Sequence, residues 1–253
     1  MRILILGLGW LGKDLAIKLA EANHQVIGTK RSVDTSTPNI KQISWSTEQM
    51  LPQNTSADIC IITLTPSAIS DLKKFEENLI LLTNNGVQKF IYTSSTGIYE
   101  GLEGIIDEQA QINLNTDRIT KLYNIEQVVL KQKDSVVLRL AGLVGDDRIP
   151  AKFLAGKKDL SGAEQKINMV HKNDVINIIS LLINSSYKGI MNAVASSHQT
   201  RKEYYTKLCE KFELENPEFN NRIEKTREVS NELSKKILNY EYEVDDTLAY
   251  FLN

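Results

Sequence analysis

The segment that most constrains this chain lies at its start. The apolar run Ile3-Leu4-Ile5-Leu6 ends on Gly7-Leu8-Gly9-Trp10-Leu11-Gly12, and an amphipathic stripe follows with Leu11, Leu15 and Leu19 four apart and Ala16 and Ala20 beside them. The run reads as a strand buried on both faces and the stripe as a helix. Between them stands a G-x-G-x-x-G turn in which each glycine has a separate task. Gly7 makes the tight turn, Gly9 lets a pyrophosphate approach the backbone, and Gly12 lets helix and strand pack closely. The helix N-terminus then offers N–H groups and a partial positive charge to phosphates. The expected occupant is a dinucleotide, held by Gly7, Gly9, Trp10, Leu11 and Gly12. The competing reading is a tight turn with no ligand.

The pattern repeats. Val26-Ile27 reads as a second strand, Ile43-Ser44-Trp45 as a short third, Asp58–Leu64 as a buried fourth, Lys89–Thr93 as a fifth and Ser135–Leu140 as a sixth. Helices are expected over Leu72–Leu82 and Asp117–Gln132. Strand and helix in alternation imply an α/β fold, a doubly wound parallel sheet of the Rossmann type. Ligands in such sheets bind outside the carboxyl ends of the strands. This core is expected over residues 1–145, with 170–195 returning to it through a helix opened by Lys172-Asn173-Asp174 and a strand over Gly189–Ala195.

Residues 146–169 and 196–253 read as a small C-terminal α+β region that binds substrate. Thr200-Arg201-Lys202-Glu203 is a capping box opening a helix with Tyr204, Leu208 and Phe212. The charged tail is read as two short helices and a strand near Tyr240-Glu241-Tyr242.

Composition narrows the function classes. Among 253 residues, 30 Lys and Arg face 32 Asp and Glu, a net charge of -2. That balance argues against nucleic acid or an anionic membrane as partner. No run approaches the ~18 apolar residues of a membrane span, and the first apolar run stops at Gly7, short of a signal sequence. Two cysteines, Cys60 and Cys209, make no disulfide scaffold, so a cytoplasmic protein is expected. No His/Cys spacing suggests a metal.

The end of the second strand bears on which dinucleotide is bound. An Asp or Glu there would bond the ribose 2′-hydroxyl of NAD, but the chain reads Gly28-Thr29-Lys30-Arg31-Ser32. Lys30 and Arg31 suit a 2′-phosphate, with hydroxyl contacts from Thr29 and Ser32. NADP is therefore expected over NAD; the alternative is a solvated basic turn. Thr63-Leu64-Thr65-Pro66 closes the fourth strand and is expected to pass the cofactor's ribose or pyrophosphate.

The fifth strand ends in Tyr92-Thr93-Ser94-Ser95-Thr96-Gly97-Ile98-Tyr99, which resembles the Ser-Ser-x-x-x-Tyr signature of extended short-chain dehydrogenases/reductases, the nucleotide-sugar epimerase and dehydratase group. Leu138-Arg139-Leu140-Ala141-Gly142-Leu143-Val144-Gly145 looks like that family's Arg-containing strand and loop. Val170-His171-Lys172-Asn173-Asp174 looks like its Val-His-x-x-Asp element. The resemblance covers nearly the whole chain. The glycine turn and Phe153-Leu154-Ala155-Gly156-Lys157 are similar to an atypical, YeeZ-like branch.

The resemblance implies roles. Ser95 takes the place of the Ser that hydrogen-bonds the reacting oxygen, Thr93, Ser94 and Thr96 surround it near the nicotinamide, and His171 lies near the substrate pocket. His171 is a candidate acid or base, or a residue ordered by Asp174 at the helix start. Arg118, Arg139, Arg148 and Arg201 are candidates to line an anionic pocket for a nucleotide sugar.

One departure is chemical. The family's proton-transferring Tyr has a Lys four residues on, and none of the nine tyrosines here does. Alignment through Glu126-Gln127 puts Arg118 and Leu122 at those positions. Arg does not give up a proton near neutral pH, and Leu cannot hold a ribose hydroxyl. Tyr123 with Gln127 is a weak substitute pair. Three readings follow: an NADP-dependent oxidoreductase or epimerase-like enzyme; a non-catalytic NADP-binding sensor or scaffold; and a sugar-nucleotide isomerase needing tightly held NAD, which Lys30-Arg31 weakens. The resemblance leaves monomer and homodimer both open.

Overall fold

The computed structural model describes residues 1–34, 37, 40–145 and 147–253. Residue 146, the first of the expected substrate region, lies outside them. In chain order the elements are β1 (Arg2–Leu6), α1 (Trp10–Glu21), β2 (Gln25–Lys30), β3 (Lys41–Ser44), β4 (Ile59–Ile62), α2 (Leu72–Asn84), β5 (Lys89–Ser95), β6 (Gly104–Ile106), α3 (Asp117–Leu130), β7 (Ser135–Leu140) and β8 (Gly142–Val144). There follow β9 (Met169–His171), α4 (Lys172–Asn184), β10 (Gly189–Ala193), α5 (Arg201–Lys211), β11 (Arg227–Val229), α6 (Glu232–Leu238) and α7 (Thr247–Leu252).

A seven-stranded sheet runs in the order β10-β7-β5-β4-β1-β2-β3. The neighbours from β5 to β3 pair in parallel. With helices flanking the sheet, this is a Rossmann-like α/β fold. The order reverses at β1: β2 and β3 lie on one side, β4 and β5 on the other. Such a switch point is where two strand ends part and leave room for a ligand.

The chain divides into two compact units. The first comprises Met1–Ser95, Asn115–Arg139 and Ile176–Met191. Its core joins Leu4, Leu6, Cys60 and Phe90 from the strands to Phe75, Leu79 and Val129 from α2 and α3. Ile3–Leu6 are fully buried, as expected for a strand covered on both faces. Burial also pushes the Cys60 thiol up, so it stays protonated as a small hydrophobe.

The second unit comprises Thr96–Leu114, Leu140–Val175 and Asn192–Asn253. Val144, Ala151, Ile167, Tyr204, Leu208 and Phe251 form its core. The Thr200 hydroxyl accepts the Glu203 N–H at 3.2 Å and caps α5, while the Glu203 carboxylate pairs with Lys207 at 2.8 Å. Two small parallel sheets, β6 with β11 and β8 with β9, complete the unit. Their three-residue strands are too short to show a period.

The expected strand near Tyr240 is not formed. Asn239 ends α6 in a left-handed conformation (φ 48°) and turns the chain. The Tyr240 hydroxyl donates to Asp174 at 2.6 Å, and the Tyr242 hydroxyl lies 2.9 Å from that of Ser234. The alternation that suggested a strand reflects two anchored rings in an irregular segment.

Candidate functional site

The turn after β1 is built within the first unit. Gly7 has φ +104°, a conformation that side-chain-bearing residues rarely adopt. Its N–H donates to the Thr29 hydroxyl at 3.0 Å, and the Leu8 N–H donates to the Thr29 carbonyl at 2.8 Å. From the other side, the Thr63 hydroxyl donates to the Gly7 carbonyl at 2.5 Å. The turn is thus tied to the ends of both neighbouring strands. A Cβ on Gly12 would stand 2.1 Å from the Gly7 carbonyl oxygen and 2.6 Å from the Thr63 hydroxyl, so the helix approaches the strand as closely as it does only with glycine there.

Over this turn opens a cavity of about 800 Å³. Gly7, Leu8 and Gly9 form its floor, Thr29–Ser32 its β2 side, and Thr63–Thr65 its β4 side. A Cβ on Gly9 would meet nothing within 4 Å, so the backbone is open to a ligand at that point. α1 begins at Trp10 with no side-chain cap and no acidic residue in its first turn. Its leading N–H groups have no acceptor within the helix, and its dipole favours an anion there.

Ten sequence-predicted residues therefore meet or border one cavity: Gly7, Gly9, Thr29, Lys30, Arg31, Ser32, Thr63, Leu64 and Thr65 line it, and Gly12 packs beneath. Trp10 and Leu11 open α1 and are not among the lining residues. Thr29 and Thr63 spend their hydroxyls on the turn itself, which makes them supports of the loop.

Sequence reasoning missed two stretches of the wall. Trp45–Glu48, just past β3, and Ser67, Ala68 and Ser70, past β4, also line the cavity. The Thr47 hydroxyl donates to the Ala68 carbonyl at 2.6 Å and the Ser70 hydroxyl to Glu48 at 3.1 Å, closing that side. The rule that ligands sit at strand ends applied to β3 as well, and would have found the first stretch. The carboxylate of Asp34 was also missed, because the reading stopped at Ser32. It forms an ion pair with Lys30, four residues earlier.

The Ser-Ser segment lies deeper. β5 runs on through Ser95, two residues beyond expectation. The Thr93 hydroxyl donates to the Ile62 carbonyl at 3.2 Å, and the Ser94 hydroxyl donates to Glu126 of α3 at 2.5 Å. Glu126 is also gripped by Arg139 of β7, through Nε at 3.1 and 3.2 Å and through a terminal nitrogen at 2.7 Å. This corrects one expectation: Arg139 is a buried partner of Glu126 and does not line an anionic pocket. The physical reason is that a buried guanidinium needs a carboxylate beside it. Ser95 is half-buried at the strand end. Arg118 is exposed and Leu122 packs in the core.

A smaller cavity of about 350 Å³ has Ile69, Ser70 and Leu72 on one wall and the α3 residues Asp117, Thr120, Lys121, Asn124 and Ile125 on the other. Thr96 and His171 belong to the second unit and both are buried. The His171 ring lies 4.6 Å from that of Tyr250, and its Nδ1 accepts the Asn173 N–H at 3.3 Å. Asp174 holds the tail, accepting the Tyr240 hydroxyl and the N–H groups of Glu243 and Val244. Among the described residues no His, Cys, Asp and Glu cluster is placed to hold a metal.

Sequence comparison agrees with this geometry. Protein YeeZ of Escherichia coli K12 is 31% identical over 269 aligned positions, covering 98% of each chain. The chain belongs to the YeeZ family. Residues 2–79, which include the turn and every lining residue of the larger cavity, match the family model described as NADP oxidoreductase coenzyme F420-dependent. Among solved structures, a Methylobacillus flagellatus protein described as an NAD-dependent epimerase/dehydratase superposes with a TM-score of 0.84 at 18% identity, over 98% of this chain and 95% of that one. UDP-glucuronic acid 4-epimerase of Bacillus cereus, solved with NAD, gives 0.81 at 13% identity, over 100% and 96%. At such identities the likeness establishes the fold alone: this YeeZ-family chain is built like those two proteins. No described helix is long and apolar enough to cross a membrane.

Proposed function

We propose that the chain binds a pyridine dinucleotide in the larger cavity, NADP in preference to NAD, and acts as an oxidoreductase or epimerase-like protein. The observation that carries this reading is one cavity, at the switch point of the sheet, floored by the glycine turn and bordered by Lys30 and Arg31. Its volume suits a cofactor. The residues present fit the group: an open backbone at Gly9 and an uncapped helix start for the pyrophosphate, and two cations for a 2′-phosphate. Trp10, Leu11, Thr93 and Ser94 belong to the same proposed site, the first pair by opening α1 and the second by shaping the end of β5.

When bound, the nicotinamide supplies a hydride acceptor or donor. The chain's own residues bind, orient and shield it. Ser95 is the proposed hydrogen-bond donor to the reacting oxygen, and Thr96 and His171 are further candidates to move a proton. This chemistry does without a Tyr-x-x-x-Lys pair. A small molecule such as a nucleotide sugar is the proposed substrate, selected by residues 146–169 and 196–253. The protein is proposed to work in the cytoplasm as a monomer or homodimer.

The alternative is a sensor or scaffold that binds NADP without catalysis, and the missing Tyr-Lys spacing favours it. Two measurements decide. A ligand at 100 times its Kd stabilises a fold by about 2.7 kcal/mol, so NADPH should raise the melting temperature, and no rise overturns the cofactor reading. Reduction of NADP+ by any of a panel of nucleotide sugars, or oxidation of NADPH by a keto form of one, lost in Ser95→Ala, supports the enzyme. Binding with no turnover across that panel supports the sensor.

A further inference from the structure

We infer that Asp34 is a specificity-determining residue that competes with the cofactor's 2′-group for Lys30, and so lets the cavity accept NAD as well as NADP. This rests on the reading of the larger cavity as a dinucleotide site.

Lys30 ends β2 and lines the cavity, and its ammonium is paired with the Asp34 carboxylate. Asp34 and Thr37 are both bonded to Gln42 of β3. The Asp34 N–H donates to Gln42 Oε1 at 3.1 Å, and Gln42 Nε2 donates back to the Asp34 carbonyl at 2.7 Å and to the Thr37 hydroxyl at 2.9 Å. The Ser44 hydroxyl donates to the Arg31 carbonyl at 3.0 Å, and the Trp45 N–H to the Lys30 carbonyl at 2.9 Å. Both backbone groups of Asp34 are thus tied to the Gln42 side chain. The ion pair itself is open to water, with side-chain exposures of 32% for Lys30 and 43% for Asp34.

These facts set two states. Beside a 2′-hydroxyl the pair stays closed, and the carboxylate can accept the hydroxyl's proton in a hydrogen bond. Beside a 2′-phosphate Lys30 turns to the phosphate with Arg31, and Asp34 is left as a like charge nearby. An exposed pair is weak, so this transfer lowers NADPH affinity by no more than about tenfold. The end of β2 thus holds the acid expected of an NAD site and the base expected of an NADP site, each answering the other.

The test is fluorescence titration of NADPH and NADH into the full chain, wild type against Asp34→Asn and Lys30→Met. Adenosine 2′,5′-bisphosphate and AMP serve as competing fragments that isolate the 2′-group. Asp34→Asn should raise the ratio Kd(NADH)/Kd(NADPH) about three- to tenfold, by tightening NADPH and weakening NADH. Lys30→Met should lower that ratio at least as much. A ratio in Asp34→Asn that stays within about twofold of wild type, or falls, overturns the inference. Should Asp34→Asn fold poorly, Asp34→Ser takes its place, with the same rise expected and an unchanged ratio equally fatal. A wild type that prefers NADH, with the ratio still moving in Asp34→Asn, defeats the NADP preference and leaves this inference standing. A wild type that binds neither cofactor overturns both.

Discussion

Two ion pairs in the first unit, Arg139–Glu126 and Lys30–Asp34, differ in nearly everything but charge. Arg139–Glu126 is closed from water, with side-chain exposures of 2% and 0%, and its carboxylate also takes the Ser94 hydroxyl. Lys30–Asp34 is wet on both sides. Breaking a buried pair strands a charge in a low-dielectric interior, whereas breaking an exposed one hands both groups to water. The first pair therefore fixes where β5, α3 and β7 stand. The second is loose enough to be exchanged for a ligand's charge. Burial decides which pair is scaffold and which is site.

The largest expected effect tests the buried member. Arg139→Met leaves Glu126 uncompensated and should cost about 3–5 kcal/mol in urea unfolding. Glu126→Leu combined with Arg139→Met removes both charges and should recover most of that loss. If the single and double variants are equally unstable, the charge is not what matters there, and the comparison fails.

Next in size is Gly12→Ala. The added methyl meets the Gly7 carbonyl of the turn and the Thr63 hydroxyl that holds it. Overpacking of this kind costs about 1–3 kcal/mol. Because the strained atoms belong to the cavity floor, NADPH binding should fall more than stability does. Unchanged NADPH affinity would separate the turn from the cofactor.

Tyr92 sharpens the contrast with an effect of opposite sign. It lies on β5, two residues before Ser94, and its buried hydroxyl has no hydrogen-bond partner among the described residues. Burial first, and then the Glu126 charge, push its pKa up, so the ring stays neutral. A buried hydroxyl without a partner is a cost. Tyr92→Phe should therefore raise stability by about 1 kcal/mol, and a loss of that size would mean the hydroxyl is satisfied.

The sequence made the first unit legible because its signals are local. Ile3–Leu6, the glycine turn and the α1 stripe are contiguous, and each has one physical reading. The wall past β3 and the Lys30–Asp34 pair depend on how the chain comes back to the turn, which spacing alone does not tell. The Arg139 error has the same root: a basic residue in an apolar strand looks free until its partner, 13 positions earlier, is brought beside it. The second unit was harder still. Its three-residue strands pair across long separations, and its tail is held by Asp174 rather than by any periodic pattern.

The smallest expected effect comes from an exposed pair at the other end of the strands. Asp58 precedes β4 and accepts the Arg2 N–H at 2.7 Å and its guanidinium at 3.1 Å. The Arg2 backbone N–H and then its side chain hold the Asp58 carboxyl below the usual carboxylate range. Its folded pKa is thus lower than its unfolded one. The stabilisation is complete above the unfolded value of about 3.9 and is lost as pH falls through the folded one. With side chains 52% and 42% exposed, solvent screening keeps it under about 1 kcal/mol. Asp58→Asn should be slightly less stable than wild type at pH 7, and the gap should close in acid and in high salt. NADPH affinity should not change, because this pair lies at the amino ends of the strands, away from the cavity. A gap that persists in acid would mean the Asp58 charge contributes nothing, and a change in NADPH affinity would mean that exposed pairs act on the site from either edge of the sheet.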